Sequence, residues 1–221
     1  MSAFRRNTPL VKGARVVSAI FSPLFIPTYC TVMAMWLTPL NLVAENTRFL
    51  AAAVILALTC IFPTMIIVSM IKLGKVSDMD ISNRRQRFVP LMLTLVCYVL
   101  ATAYMWRVSA PMWLVMYFAS GCLSALAVAL ISLRWKISAH GAGMGNLLGM
   151  VIAFMEGGYA VYNMLVWLCA IIILCGVVCS ARVILHRHTL GQVYAGTALS
   201  AFITTVMMLI PHWIMQYLQA I

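Results

Sequence analysis

Residues 108–133 read VSAPMWLVMYFASGCLSALAVALISL, a stretch with no charged side chain. A helix that crosses the hydrocarbon core of a bilayer needs about 20 such residues. Backbone groups in lipid find no water, so a crossing segment must pair them within itself, as a helix does. No period-two alternation runs through this stretch or its neighbours, which argues against a membrane barrel.

Further uncharged runs lie on either side, at 16–44, 49–71, 88–106, 137–155, 157–181 and 188–221. They predict an all-α fold, a polytopic transmembrane bundle of seven helices. Pro23, Pro27 and Pro39 interrupt the first run, so it is either a kinked span or a re-entrant segment, which leaves six. The chain is 64% hydrophobic and 9% charged, where a soluble domain carries about 25% charged residues. One transmembrane domain, 16–221, follows a basic segment, 1–15. That order does not match a cleavable signal peptide. The seven cysteines all fall inside the apolar runs, at spacings that fit neither a zinc site nor a disulfide framework.

Fifteen Lys and Arg face four Asp and Glu, a formal net charge of +11. In a soluble protein that balance suggests nucleic acid. Here the cations sit between apolar runs, and no nucleic-acid partner is expected. With alternating spans, all the cations except Arg48 and Arg107 fall on one side. A wrong span count would scramble that bias. By the positive-inside rule the crowded side is cytoplasmic, and the chain is expected to be a multi-pass protein of a bacterial cytoplasmic membrane. The segments 72–87, 134–140 and 182–188 therefore meet at one face.

Carboxylate-held magnesium is not expected there, because magnesium wants oxygen ligands and the face offers only Asp78 and Asp80 among many cations. A zinc site is not expected either: H-E-x-x-H is absent, and His186 and His188 point apart on a helix. No cofactor is predicted. The remaining set of Arg, Lys, His and Ser suits a phosphate ester. Arginine forks bind phosphate oxygens, one histidine can attack phosphorus, and another can protonate the leaving oxygen.

The spacing sharpens this. In ARVILHRHTLGQ (181–192), Gln192 lies one helical turn beyond His188, within reach of one imidazole nitrogen. In KISAHGAG (136–143), Ser138 precedes His140, and Gly141 and Gly143 let backbone N–H groups approach an anion. Gly141, Gly145 and Gly149 also form a small-xxx-small series, which points to close helix packing. His186 and His212 are expected to be interfacial.

Together these segments resemble the type 2 phosphatidic acid phosphatase family over about residues 72–200. SAH at 138–140 resembles the family's Ser-Gly-His element, with Ala139 in place of glycine. Arg182 followed by His188 resembles its third element. NRRQRFVP at 83–90 resembles a degenerate first element. The resemblance implies a metal-independent lipid phosphate phosphatase that works through a phosphohistidine. His188 would be the nucleophile, and His140 would protonate the leaving group and then activate water. Arg182 and Arg87 would clamp the phosphoryl oxygens, and Ser138 would add a hydrogen bond. Lys136, Arg84 and Lys75 are further candidates for the clamp.

The chain departs from the family at Gln192, where the family has an aspartate that favours the charged form of the nucleophile. An acid-to-amide change in the analogous role of a serine protease costs roughly 10⁴ in turnover. An inactive relative that binds or transports anionic lipid is therefore the alternative. Many members of the family act on the face away from the cytoplasm, so the opposite sidedness also stays open. The partners expected are a lipid phosphate and the surrounding membrane lipids.

Overall fold

The computed structural model describes residues 8–76 and 88–219, and these are helical with no strand among them. The first run does not form one helix. It breaks into α1 (Pro9–Ile20) and α2 (Ile26–Leu37), followed by a 3-10 turn at Pro39–Leu42. Twelve residues rise about 18 Å, short of the roughly 30 Å hydrocarbon core. Pro23 and Pro27 cause the break, since neither can donate a backbone N–H. The exposed carbonyls are then met from elsewhere. Tyr29 Oη donates to Ile20 O at 2.9 Å, Tyr98 Oη to Pro23 O at 3.3 Å, and Thr59 Oγ1 to Leu24 O at 3.4 Å. Irregular backbone at membrane depth is tolerated where protein satisfies it in this way.

Next come α3 (Glu45–Leu56) and α4 (Phe62–Lys72), continuous through a π-turn at Ala57–Ile61 just before Pro63. After them come α5 (Phe88–Arg107), α6 (Met112–Ser132), α7 (Ala139–Glu156), α8 (Leu165–Ile184) and α9 (Leu190–Gln219). Five helices are long and apolar enough to cross a membrane: the joined α3–α4, α5, α6, α8 and α9. The seven predicted spans are thus not all reproduced among the described residues. The shortfall lies in the first run and in α7.

The reason for α7 is its position. It is sheathed by α9, α8, α6 and α2, and most of its side chains are buried. A helix enclosed by protein does not need a lipid-compatible surface, so it can carry glycine, asparagine and histidine. The small-residue series has its predicted use. A Cβ at Gly141 would stand 2.5 Å from Val193 O, one at Gly149 would stand 2.6 Å from Ala201 O, and one at Gly145 would run into Thr197 O. Both helices advance by four residues per contact, so α7 and α9 lie parallel with their backbones touching. From the other side, a Cβ at Gly196 would stand 2.6 Å from Ser138 O. This seam fixes the relative height of the two segments that begin α7 and α9.

The chain ends of these helices also fit the alternation. Ser18 near the end of α1 meets His140 at the start of α7, whereas Leu37 at the end of α2 accepts from Val161 N, beyond the end of α7. α2 therefore runs from one end of the bundle toward the other.

Candidate functional site

Ser138 caps α7, its Oγ accepting from Gly141 N at 3.1 Å. Thr189 opens α9 with a reciprocal pair. Gln192 N donates to Thr189 Oγ1 at 3.4 Å, and Thr189 N donates to Gln192 Oε1 at 3.2 Å. This is a capping box, and the T-x-x-Q spacing at 189–192 carries its signature. Ser138 N donates to Gln192 O at 3.1 Å and so ties the two helix starts together.

His188 sits in this knot and is buried. Its Nδ1 lies 3.2 Å from Gln192 Oε1 and 3.3 Å from Lys136 O. Gln192 Oε1 already accepts from a backbone N–H, so it cannot be the amide nitrogen, and the Lys136 carbonyl only accepts. Nδ1 must therefore carry the proton. In the neutral ring the lone pair is left on Nε2. Gln192 thus serves both as the box residue of α9 and as the group that fixes the His188 tautomer.

His186 has a structural task that the sequence reading did not assign. It follows the end of α8 with φ of 54°, the left-handed conformation. Arg187 N donates back to Arg182 O at 3.1 Å and His186 N to Val183 O at 2.9 Å, the pattern of a Schellman-type helix end. This turn separates Arg187, which lines the cavity, from His188, which bonds to Gln192 and the Lys136 carbonyl. A non-glycine residue in that conformation costs about 1–2 kcal/mol. His186→Gly is accordingly expected to stabilise the protein by about 1 kcal/mol. Thermal unfolding in detergent checks this, and an unchanged or lowered midpoint would show that the imidazole is needed for its contacts.

A cavity of about 790 Å³ opens beside the knot, between the α1–α2 break, the π-turn, and α5, α6 and α7. Arg15, His140, Arg182 and Arg187 line it where α7 begins and α8 ends. Pro23, Leu24, Ile61, Met65, Leu91 and Val128 give it apolar walls. Arg182 is 1% exposed, the bulkiest of the fully buried side chains. His140 lies with Nε2 3.1 Å from Ser18 O. Because that carbonyl can only accept, Nε2 carries a proton.

The predicted residues thus fall in five places. His140 and Arg182 line the cavity. His188, Gln192, Ser138 and Lys136 form the adjoining knot and are not among the residues lining it. Gly141 is spent on the α9 contact, and its N–H on the Ser138 cap. Arg84 and Arg87 lie outside the described residues. Lys75 is exposed and is not among the lining residues. Arg15 and Arg187 join the site without having been singled out. Both belong to the basic face, but only tertiary contact marks them apart from its other cations. Among the described residues, no group of three His, Cys, Asp or Glu side chains gathers in a form able to hold a metal ion.

The chain matches no protein-family model, no curated protein and no solved structure.

Asn146 completes the cavity at depth. It stands six residues beyond His140 on α7, about 9 Å further along the helix. Its Oδ1 accepts from Ser124 Oγ and from Thr204 Oγ1, both at 3.0 Å, which joins α6, α7 and α9. Ser120 Oγ lies 3.0 Å from Thr204 Oγ1 and donates to Tyr117 O at 2.6 Å.

Proposed function

We propose that this chain is an integral membrane phosphatase that hydrolyses a lipid phosphomonoester or pyrophosphate without metal, through a phosphohistidine. Its topology is that of seven passages, the first made by the proline-broken 16–44 run as a whole, with α7 crossing inside the bundle and the basic face cytoplasmic. One observation carries this reading: Arg15, Arg182, Arg187 and His140 converge on a single cavity whose remaining walls are mostly apolar. That combination suits a phosphate on a hydrocarbon body, and buried arginine favours bidentate phosphate contacts.

The chemistry assigned to the residues is as follows. The Nε2 lone pair of His188 attacks phosphorus while the bond to the lipid oxygen breaks. His140, entering the step as the imidazolium, gives its Nε2 proton to that oxygen as it leaves and becomes the neutral ring. The phosphorylated ring keeps its Nδ1 proton, held between Gln192 Oε1 and Lys136 O, and so carries the positive charge. A water then attacks phosphorus and gives its proton to His140, and Nε2 recovers its lone pair. Arg182 and Arg187 balance the charge on the phosphoryl oxygens throughout.

The test is phosphate release by the purified protein in EDTA from a panel of lipid phosphates and pyrophosphates. Release that survives the chelator supports the reading, and silence across the panel ends it. The rival reading, a binder of anionic lipid without turnover, is favoured by two contacts. His188 is not among the cavity-lining residues, and the His140 Nε2 proton is engaged by Ser18 O. Turnover requires the 185–189 turn and the α1 end to shift so that both imidazoles meet the phosphate.

Gln192→Asp is a second test of the same site. It keeps an acceptor on Nδ1 and adds the missing negative charge. Turnover is expected to rise roughly 10- to 10⁴-fold, the upper end being the loss caused by the reverse change in a serine protease. An unchanged kcat at saturating lipid would mean that the Lys136 carbonyl already supplies the needed stabilisation.

A further inference from the structure

Asn146 is 7% exposed and lines the cavity well below the cationic end. Two hydroxyl donors occupy its Oδ1. Its amide nitrogen has no hydrogen-bond partner among the described residues. A primary amide brings two N–H donors, which here open on the cavity, and a ligand that covered them with hydrocarbon would leave them unmet at a cost. Gly143, nearly one turn before it on α7, shares the cavity wall and has no side chain to offer, and the Ser124 hydroxyl is committed to Oδ1.

From this we infer that Asn146 is a specificity-determining residue. Its amide N–H donates to an acceptor oxygen in the body of the lipid, below the phosphate. The inference rests on the reading of the cavity as a lipid phosphate site. With the phosphate beside Arg182, Arg187 and His140, the next part of the ligand lies along α7 toward Asn146. In a diacylglycerol phosphate the ester carbonyls hang a few bonds below the phosphorus, at the junction of headgroup and chains. In a polyprenyl phosphate the same place holds only hydrocarbon, which would bury the amide unpaired. The site therefore selects glycerol-ester phosphates over polyprenyl phosphates. A site that hydrogen-bonds a ligand oxygen discriminates against ligands that lack it, because its own polar group is then stranded.

The experiment measures equilibrium binding to the full chain in detergent, with three probes. These are dioleoyl phosphatidate, its di-O-alkyl ether analogue, which lacks the carbonyls, and farnesyl phosphate. The expected result is that the diester binds about tenfold tighter than the diether, the scale of one net hydrogen bond, with farnesyl phosphate no better than the diether. Asn146→Leu should bring all three within about twofold of one another. The diester–diether comparison needs no variant, so it stands even where Asn146→Leu fails to fold for want of partners for Ser124 and Thr204. Equal binding of diester and diether by the parent overturns the inference. So does a preference that persists in a folded Asn146→Leu protein. Binding is read without turnover, so the two proposals can fail separately. Carbonyl-dependent binding with no phosphate release would keep the Asn146 assignment and end the phosphatase reading. Phosphate release with no carbonyl preference would do the reverse.

Discussion

His188→Ala is expected to abolish phosphate release while leaving lipid binding nearly intact. The two effects separate because of where the side chain sits. His188 is held by Gln192 Oε1 and the Lys136 carbonyl, whereas Arg15, Arg182 and Arg187, which would bind phosphate, line the cavity. Removing the nucleophile of a covalent mechanism lowers turnover by roughly 10⁴-fold or more. A loss of that size with binding changed less than about threefold is therefore the signature of a covalent role, since uniform binding energy would alter affinity instead. A labelled lipid phosphate should also leave acid-labile, alkali-stable label on the parent protein and none on the variant. Labelling that persists in His188→Ala would move the nucleophile elsewhere. Release that falls only as far as binding falls would reduce His188 to a structural member of the knot.

The second large effect concerns the seam that sets the site. Gly145→Ala places a methyl group against the Thr197 carbonyl, which belongs to a helix backbone and cannot swing aside. Overpacking of this kind costs about 1–3 kcal/mol. Gly145→Leu adds four carbons at the same spot and is expected to leave no monodisperse protein in detergent. The control is Gly176→Ala on α8, where a Cβ meets nothing within 4 Å. It should melt at or slightly above the parent temperature, because alanine is the better helix former. If Gly145→Ala melted with the control, the α7–α9 contact would have to be loose enough to slide. The rigid relation between His140 and His188 would then be lost from the account. Because α7 carries His140 and His188 stands just before α9, an intermediate case is informative as well. A Gly145→Ala protein that folds but loses activity would show that the seam positions the chemistry.

Much of the architecture was legible in the chain. Uncharged runs long enough to cross a bilayer fix the helical class, because lipid leaves the backbone no other way to pair its polar groups. The one-sided cations fix the alternation that puts residues 134–140 and 182–188 at the same end. The spacing of Gln192 from His188 predicts a contact that the structure contains, because i and i+4 share a helical face. The glycine series at 141, 145 and 149 likewise announces a close helix contact, though not which helix is the partner.

What the chain hid has physical causes. Hydropathy marks which segments tolerate lipid, so it reads 16–44 as one run although proline breaks it into α1 and α2. It also carries no information about a helix that protein encloses, as with α7. The T-x-x-Q spacing at 189–192 signals a capping box as well as an imidazole contact, because the one Gln192 oxygen accepts from both Thr189 N and His188 Nδ1.

The sequence by itself determined the helices, their alternation and the local pairings within one helical turn, because these depend on near neighbours and on the solvent alone. Only the tertiary structure decided that Arg15 and Arg187 join His140 and Arg182 around one cavity, that His188 turns instead to the Lys136 carbonyl, and that Asn146 presents its amide at depth. Those facts depend on how far apart the helix axes stand and how each helix is rotated. Here both are set by backbone contact at the α7–α9 glycines and by the proline break that folds α1 over the start of α7.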